Sequence, residues 1–232
     1  MTCICKGQEQ YFYTGMQNGK LIQWSISYND CSIKQRRSIY AQLSPISTIH
    51  YYHNQKVIIT SGTIYKNYEG KFELNKENNI YIRKAYDFEL LTPIEINPKE
   101  KVLCIKVSQF NFIYVLLYYS SFKKIDSTIQ LVERTKIVGY TFSGIKFAES
   151  CEGEYSNFSL TNKGNIIVGD KCNLKILCGA CLNEKFSHNY NSKIMWIDYD
   201  NVNHNLYMFK ENKEWDVCYL RTLNVGGCRC KI

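Results

Sequence analysis

The chain has little of what usually betrays an enzyme or a membrane protein. No apolar run approaches the ~18 residues that a membrane-spanning helix needs. The opening MTCICKGQEQ has neither the apolar core of a signal peptide nor the Arg- and Ser-rich face of a transit peptide. Helical periodicity is almost absent, and only 3 prolines punctuate 232 residues. No Gly-X-Ser-X-Gly elbow presents a nucleophile, and Thr141-Phe142-Ser143-Gly144 does not match one. Gly226-Gly227 is too short for a phosphate loop and no helix follows it. No Lys/Arg-Gly-Phe/Tyr motif with helices between strands marks an RNA-recognition sheet. The expectation from these absences is a cytoplasmic chain, with the nucleus as the alternative, that is not secreted and inserts in no membrane.

What is present points to a packed β protein. The composition is 45% hydrophobic and 22% charged, which excludes wholesale disorder. Tyr (19) and Phe (11) are abundant, and with Ile they favour strands. About twenty short apolar or alternating runs are bounded by Asn, Gly, Asp, Lys and Ser. They fall into an order: an apolar strand (ISTIHYYH, KVLCIKV, KIMWIDY), an apolar strand with small residues (YFYTG, KVIITSG, NIIVG), an alternating strand (KLIQWSIS, NIYIRKAY, LKILC), then a weaker polar one. The order recurs five times with a period of about 46 residues. The units are residues 1–43, 44–98, 99–144, 145–188 and 189–232, in one domain, with a polar insertion at 63–77.

The best segment is YFYTGMQNGKLIQWSI, residues 11–26. Thr14-Gly15 closes a small-residue strand, and Asn18-Gly19 supplies a hairpin turn that needs positive φ, read here as a two-residue loop. Leu21, Gln23 and Ser25 alternate with Ile22, Trp24 and Ile26, as in a strand with one buried face. This pattern resembles the WD40 family of β-propellers. Residues 78–107 resemble the junction between two repeats, and residues 162–178 are a weaker third match. The departures are specific. Ser25 stands where the family has Asp after Trp24, no Gly-His pair precedes an inner strand, and Trp215-Asp216 starts its strand instead of ending it. The resemblance implies an all-β, WD40-like propeller with about five recognisable blades. Five is fewer than the family's usual seven. The ring is therefore small or open, completed by a partner, or carries two further blades hidden near 63–77 and 145–157.

Candidate chemistry is sparse. Lys+Arg is 29 against Asp+Glu 21, a formal +8, which favours acidic partners such as nucleic acid, tubulin-like surfaces or acidic lipid. The densest basic cluster is only Lys34, Arg36 and Arg37. The 11 cysteines read as reduced thiols, several of them inside apolar runs (Cys104, Cys218). Cys178-Gly-Ala-Cys181 has zinc-knuckle spacing with Cys172 nearby, and Cys3, Cys5, Cys228 and Cys230 could complete a thiolate set; buried thiols are the plainer reading. His50, His53, His188 and His204 are scattered, and Glu152 and Glu154 lie in a polar loop. No catalytic, cofactor-binding or metal residue is assigned. A propeller of this kind implies a non-enzymatic protein-interaction scaffold, a subunit of a larger assembly. The alternatives are an enzyme or small-ligand binder using a central channel, and an RNA-associated propeller using its basic surface.

Overall fold

Runs of four to nine residues cut by turn-forming side chains are too short for stable helices, so their backbone N–H and C=O groups must pair between strands. The computed structural model describes residues 1–62, 65, 66, 72, 73, 79–125 and 128–219, and these hold strands and no helix. Most of the 63–77 insertion, together with Gly226, Gly227, Cys228 and Cys230, lies outside the described residues.

The strands form five consecutive antiparallel meanders. Sheet one joins β1 (Cys3–Lys6), β2 (Tyr11–Gly15), β3 (Lys20–Ser27) and β4 (Ser32–Tyr40). Sheet two joins β5 (Ile46–Tyr52), β6 (Val57–Gly62), β9 (Asn79–Lys84) and β10 (Leu90–Glu95). Between β6 and β9 in the chain, β7 (Tyr65–Lys66) and β8 (Phe72–Glu73) pair only with each other. Sheet three joins β11 (Glu100–Val107), β12 (Phe112–Ile125), β13 (Thr128–Thr141) and β14 (Lys146–Glu149). Sheet four joins β15 (Tyr155–Leu160), β16 (Ile166–Asp170), β17 (Asn173–Leu177) and β18 (Glu184–Asn189). Sheet five holds β19 (Ile194–Asp200), β20 (Asn205–Lys210) and β21 (Trp215–Tyr219) among the described residues.

Two compact units divide the chain. The first comprises Met1–Ile105 with Phe142–Gly144, and the second Lys106–Thr141 with Ile145–Ile232. In the first, Tyr13, Leu21, Ala41, Ile46, Ile58, Ala85 and Phe88 form a buried cluster between sheets one and two. In the second, Ile167, Leu174, Ile194, Ile197, Leu206 and Met208 do the same between sheets four and five. One device serves both. A Cβ on Gly15 would lie 2.7 Å from Ile46 Cγ2, and a Cβ on Gly169 would lie 2.8 Å from Ile194 Cγ2. A glycine at or next to the end of the second strand of sheets one and four thus lets the next sheet's first isoleucine press onto the backbone. Asn157 adds a polar stitch, accepting from Ile197 N–H and donating to Ile197 O, both at 2.9 Å.

Three local features differ from the sequence expectation. The loop between β2 and β3 is a three-residue one. Met16 N–H donates to Lys20 O (2.9 Å), Gly19 N–H donates to Met16 O (3.1 Å), and Gly19 alone in the loop has positive φ (+75°). This is the turn-plus-left-handed-glycine hairpin, whose twist also suits the strands. A side chain there is excluded twice, because a Cβ would lie 1.9 Å from Gln42 O. Second, β3 is buried on both faces: Leu21, Ile22, Gln23 and Ser25 are all buried, and Gln23 is accommodated by donating to Tyr13 Oη (3.2 Å). Third, TIQLVER and IVGYTFS are one strand, β13, and the following run KFAE closes sheet three as β14. The third sheet therefore extends past residue 144. Gly144, at φ +85°, makes the turn, and the Phe147 ring fills the space over Gly139.

Candidate interaction surfaces and a thiol pair

The cysteines separate by local packing. Cys3 and Cys5 alternate with Ile4 on β1 and so share a face. Cys3 Sγ donates to Ile46 O (3.4 Å), and Tyr51 N–H donates to Cys5 Sγ (3.2 Å). Burial pushes both thiols up. Cys218 meets Tyr190 Oη at 3.4 Å. Cys178 and Cys181 sit in the turn from β17 to β18, where Leu182 N–H donates to Cys178 O (2.8 Å) and Cys178 N–H donates to Asn183 O (2.9 Å). Burial raises the Cys178 thiol, but the N–H groups of Cys181 and Ala180, the Cys181 side chain and the Lys185 charge outweigh it, leaving Cys178 below the usual thiol value. Among the described residues no three His, Cys, Asp or Glu side chains converge as a metal site. Cys172 lies in the β16–β17 turn, where its carbonyl accepts from Tyr190 N–H (2.7 Å).

The histidines and carboxylates are occupied locally. His53 packs edge-on against Tyr51, His188 edge-on against Tyr190, and His204 Nδ1 lies 2.9 Å from Tyr199 Oη. His50 is half-buried on β5. Glu152 and Glu154 line an open notch of about 260 Å³ with Arg134, Gly153, Asp170, Lys171 and Asn173. Glu154 pairs there with both Arg134 (3.0 Å) and Lys171 (2.9 Å), and Asp170 pairs with Lys175 (2.8 Å). Opposite charges thus neutralise one another on its walls, which gives a ligand of either sign little purchase. Ser143 lies in the exposed β13–β14 turn, far from any nucleophile elbow in form.

The basic cluster lies on β4, the outer strand of sheet one. Lys34 approaches Asp30 at 3.9 Å, Arg36 Nε donates to Ser25 Oγ (2.7 Å), and the Arg37 guanidinium donates to Tyr86 O. Ser25 therefore holds an arginine at the position where the WD40 resemblance calls for Asp. Trp24 does work at its position: its Nε1–H donates to Thr14 Oγ1 (2.8 Å), and its ring stacks on Phe12 across the ladder.

Two apolar surfaces had no clear sequence signal. The β12–β13 hairpin pairs without a break from Phe112↔Thr141 to Ile125↔Thr128. β14 pairs only with Val138–Tyr140, Thr135 still bridges Gly153, and β11 has 8 residues against 14, so the end of the hairpin beyond them is a two-stranded arm. Register sets Phe122 opposite Leu131 and Lys124 opposite Ile129, so Phe122, Ile129 and Leu131 share one face. They are 76%, 76% and 55% exposed. On sheet five, Trp196, Phe209 and Trp215 lie opposite one another on successive strands, with ring centroids 5.7 Å (Trp196–Trp215) and 5.0 Å (Phe209–Trp215) apart. Met195, Trp196, Trp215 and Val217 are exposed there.

Comparison with known proteins returns a fold and no family. No family model matches the chain. No curated protein matches it in sequence. Among solved structures it is similar to the β-propeller domain of Cps50 (Swd1) from Myceliophteria thermophila, with a TM-score of 0.64 and 8% identity over 99% of this chain and 68% of that one. At that identity the likeness shows the fold alone: the chain is an all-β protein of β-propeller architecture, as the recurring strand order implied. No helix among the described residues is long and apolar enough to cross a membrane.

Proposed function

We propose that this chain is a non-enzymatic, WD40-like scaffold that works as a subunit of a larger protein assembly. The observation that carries the reading is the β12–β13 arm. An isolated two-stranded ribbon is at best marginally stable in water, yet this one presents Phe122, Ile129 and Leu131 on a single exposed face. Exposed aromatic and aliphatic side chains grouped on a projecting element are the usual makings of a protein contact. The occupant is an apolar groove of another protein, into which the ribbon's apolar face lies. The aromatic face of sheet five supports the same reading. Arg36 and Arg37 are tied to Ser25 and Tyr86, so the basic strand offers RNA phosphates little, and the structural likeness gives RNA no support. The reading places the protein in a reducing compartment, the cytoplasm or the nucleus.

The test is size-exclusion chromatography with mass determination on the protein from its native source. The wild type is expected in a heavier, stoichiometric complex at low salt. The triple variant Phe122→Ser, Ile129→Ser, Leu131→Ser is expected to fold, because these side chains are exposed, and to lose at least ~10-fold of the retained partner. A wild-type protein that elutes as a free monomer of 27.2 kDa would overturn the proposal. So would a variant that keeps its partner in full.

A further inference from the structure

The turn between β17 and β18 holds two thiols three residues apart in a frame that cannot easily relax. Gly179 has no room for a side chain: a Cβ would lie 1.9 Å from Gly164 O and 3.0 Å from Tyr114 Oη. The buried Tyr114 hydroxyl donates to Gly179 O (2.8 Å), pinning the turn from the neighbouring sheet of the same unit. Leu182, at φ +60°, reverses the chain so that its N–H returns to Cys178 O (2.8 Å). The turn closed by Leu182 N–H on Cys178 O brings Cys178 and Cys181 together, and the Cys181 side chain with the N–H groups of Ala180 and Cys181 lowers the Cys178 thiol. Cys178 is 6% exposed and Cys181 is half-buried. Backbone donors and a lysine charge lower one thiol, and the tight turn keeps the second beside it, so a sulfenic acid formed on the first has a thiol in reach to resolve it.

We propose that Cys178 and Cys181 form a peroxide-reactive dithiol that closes to a disulfide within the β17–β18 turn. The oxidant is a small hydroperoxide, because a sulfur so little exposed admits hydrogen peroxide more readily than a bulky disulfide. Cys178, having lost its proton, attacks the terminal peroxide oxygen; the O–O bond breaks, and the leaving oxygen takes up that proton. Cys178 is then a sulfenic acid, oxidised by two electrons. Cys181 sulfur attacks Cys178 Sγ, the S–O bond breaks, and hydroxide leaves as water with the Cys181 proton. In sum, two thiols and one hydrogen peroxide give one disulfide and two waters. The low thiol value of Cys178 supports the order of attack, whereas burial works the other way at Cys3 and Cys5. This inference is independent of the scaffold proposal.

The experiment uses the reduced full chain, treated with limiting hydrogen peroxide, quenched with an alkylating agent and digested with trypsin. Cleavage after Lys175 and Lys185 releases Ile176–Lys185, which contains only these two cysteines. The expected product is this peptide unalkylated and about 2 Da lighter, formed before the exposed Cys31 and Cys151 are consumed. Cys181→Ser is expected to stop at a dimedone-trappable sulfenic acid on Cys178, and Cys178→Ser to abolish both products. A doubly alkylated Ile176–Lys185 peptide after Cys31 and Cys151 have reacted would overturn the proposal, as would a disulfide joining Cys178 to any other cysteine.

Discussion

At the residue scale, the decisive side chains act on the backbone around them. Gly15, Gly19 and Gly169 leave room where an isoleucine or a carbonyl comes too close for a Cβ. Trp24 was visible in the sequence by its place in the alternation. Its hydrogen bond to Thr14 required the diagonal register of β2 against β3. Charge behaves in the same local way. Glu149 on β14 lies between Lys136 (2.9 Å) and Lys146. Burial alone would raise its carboxyl, but the two ammonium groups outweigh burial and hold it below the ordinary value of 4.5. A group lowered in the folded state contributes stability that is present above its unfolded pKa and is lost as pH falls through the folded one. The urea midpoint of the wild type is therefore expected to drop more between about pH 6 and about pH 3 than that of Glu149→Gln. Parallel acid limbs in the two proteins would show that the pair contributes nothing.

At the scale of elements, strand existence was legible and strand partnership was not. Alternation and β-branched runs marked nearly every strand, because period two follows from the pleat. Where one sheet stops and the next begins depends on which edge a strand reaches in space, and KFAE carries too few residues to announce it. β14 joins sheet three because Phe147 lands over Gly139, with its ring 4.8 Å from Phe112 and edge-on to Tyr114 at 6.1 Å. Phe147→Ala is expected to lower stability by about 2 kcal/mol or more and to speed amide exchange in β13 and β14 first, read by denaturant melts and hydrogen exchange. A loss well under 1 kcal/mol would mean that β14 is held by its ladder alone. The β12–β13 arm was hidden for a related reason. The segment KKIDST is polar apart from Ile125 and interrupts the apolar pattern, so one long hairpin reads as three shorter strands.

At the scale of the molecule, sheets two and five each press an isoleucine-led first strand onto the preceding sheet of the same unit, so stability should be distributed within each unit in nearest-neighbour terms. Ile194 is fully buried against sheet four. Ile194→Ala is expected to cost about 2–5 kcal/mol. Amide exchange should accelerate in sheets four and five while β2 and β3 keep their protection; equal acceleration in both compact units would instead mark a single cooperative block. The sequence by itself determined the all-β class, the fivefold order of strands and the glycine of the β2–β3 turn, because those follow from local backbone sterics and the two-residue period. It also displayed the Cys-Gly-Ala-Cys spacing. Only the tertiary structure decided how that spacing is held, with the Tyr114 hydroxyl bonded to Gly179 O and the Gly164 carbonyl packed against Gly179. It likewise decided which apolar residues stay exposed. Phe122 and Trp215 are indistinguishable in sequence from core residues, and their exposure is set by what packs over a face, a relation between segments distant in the chain.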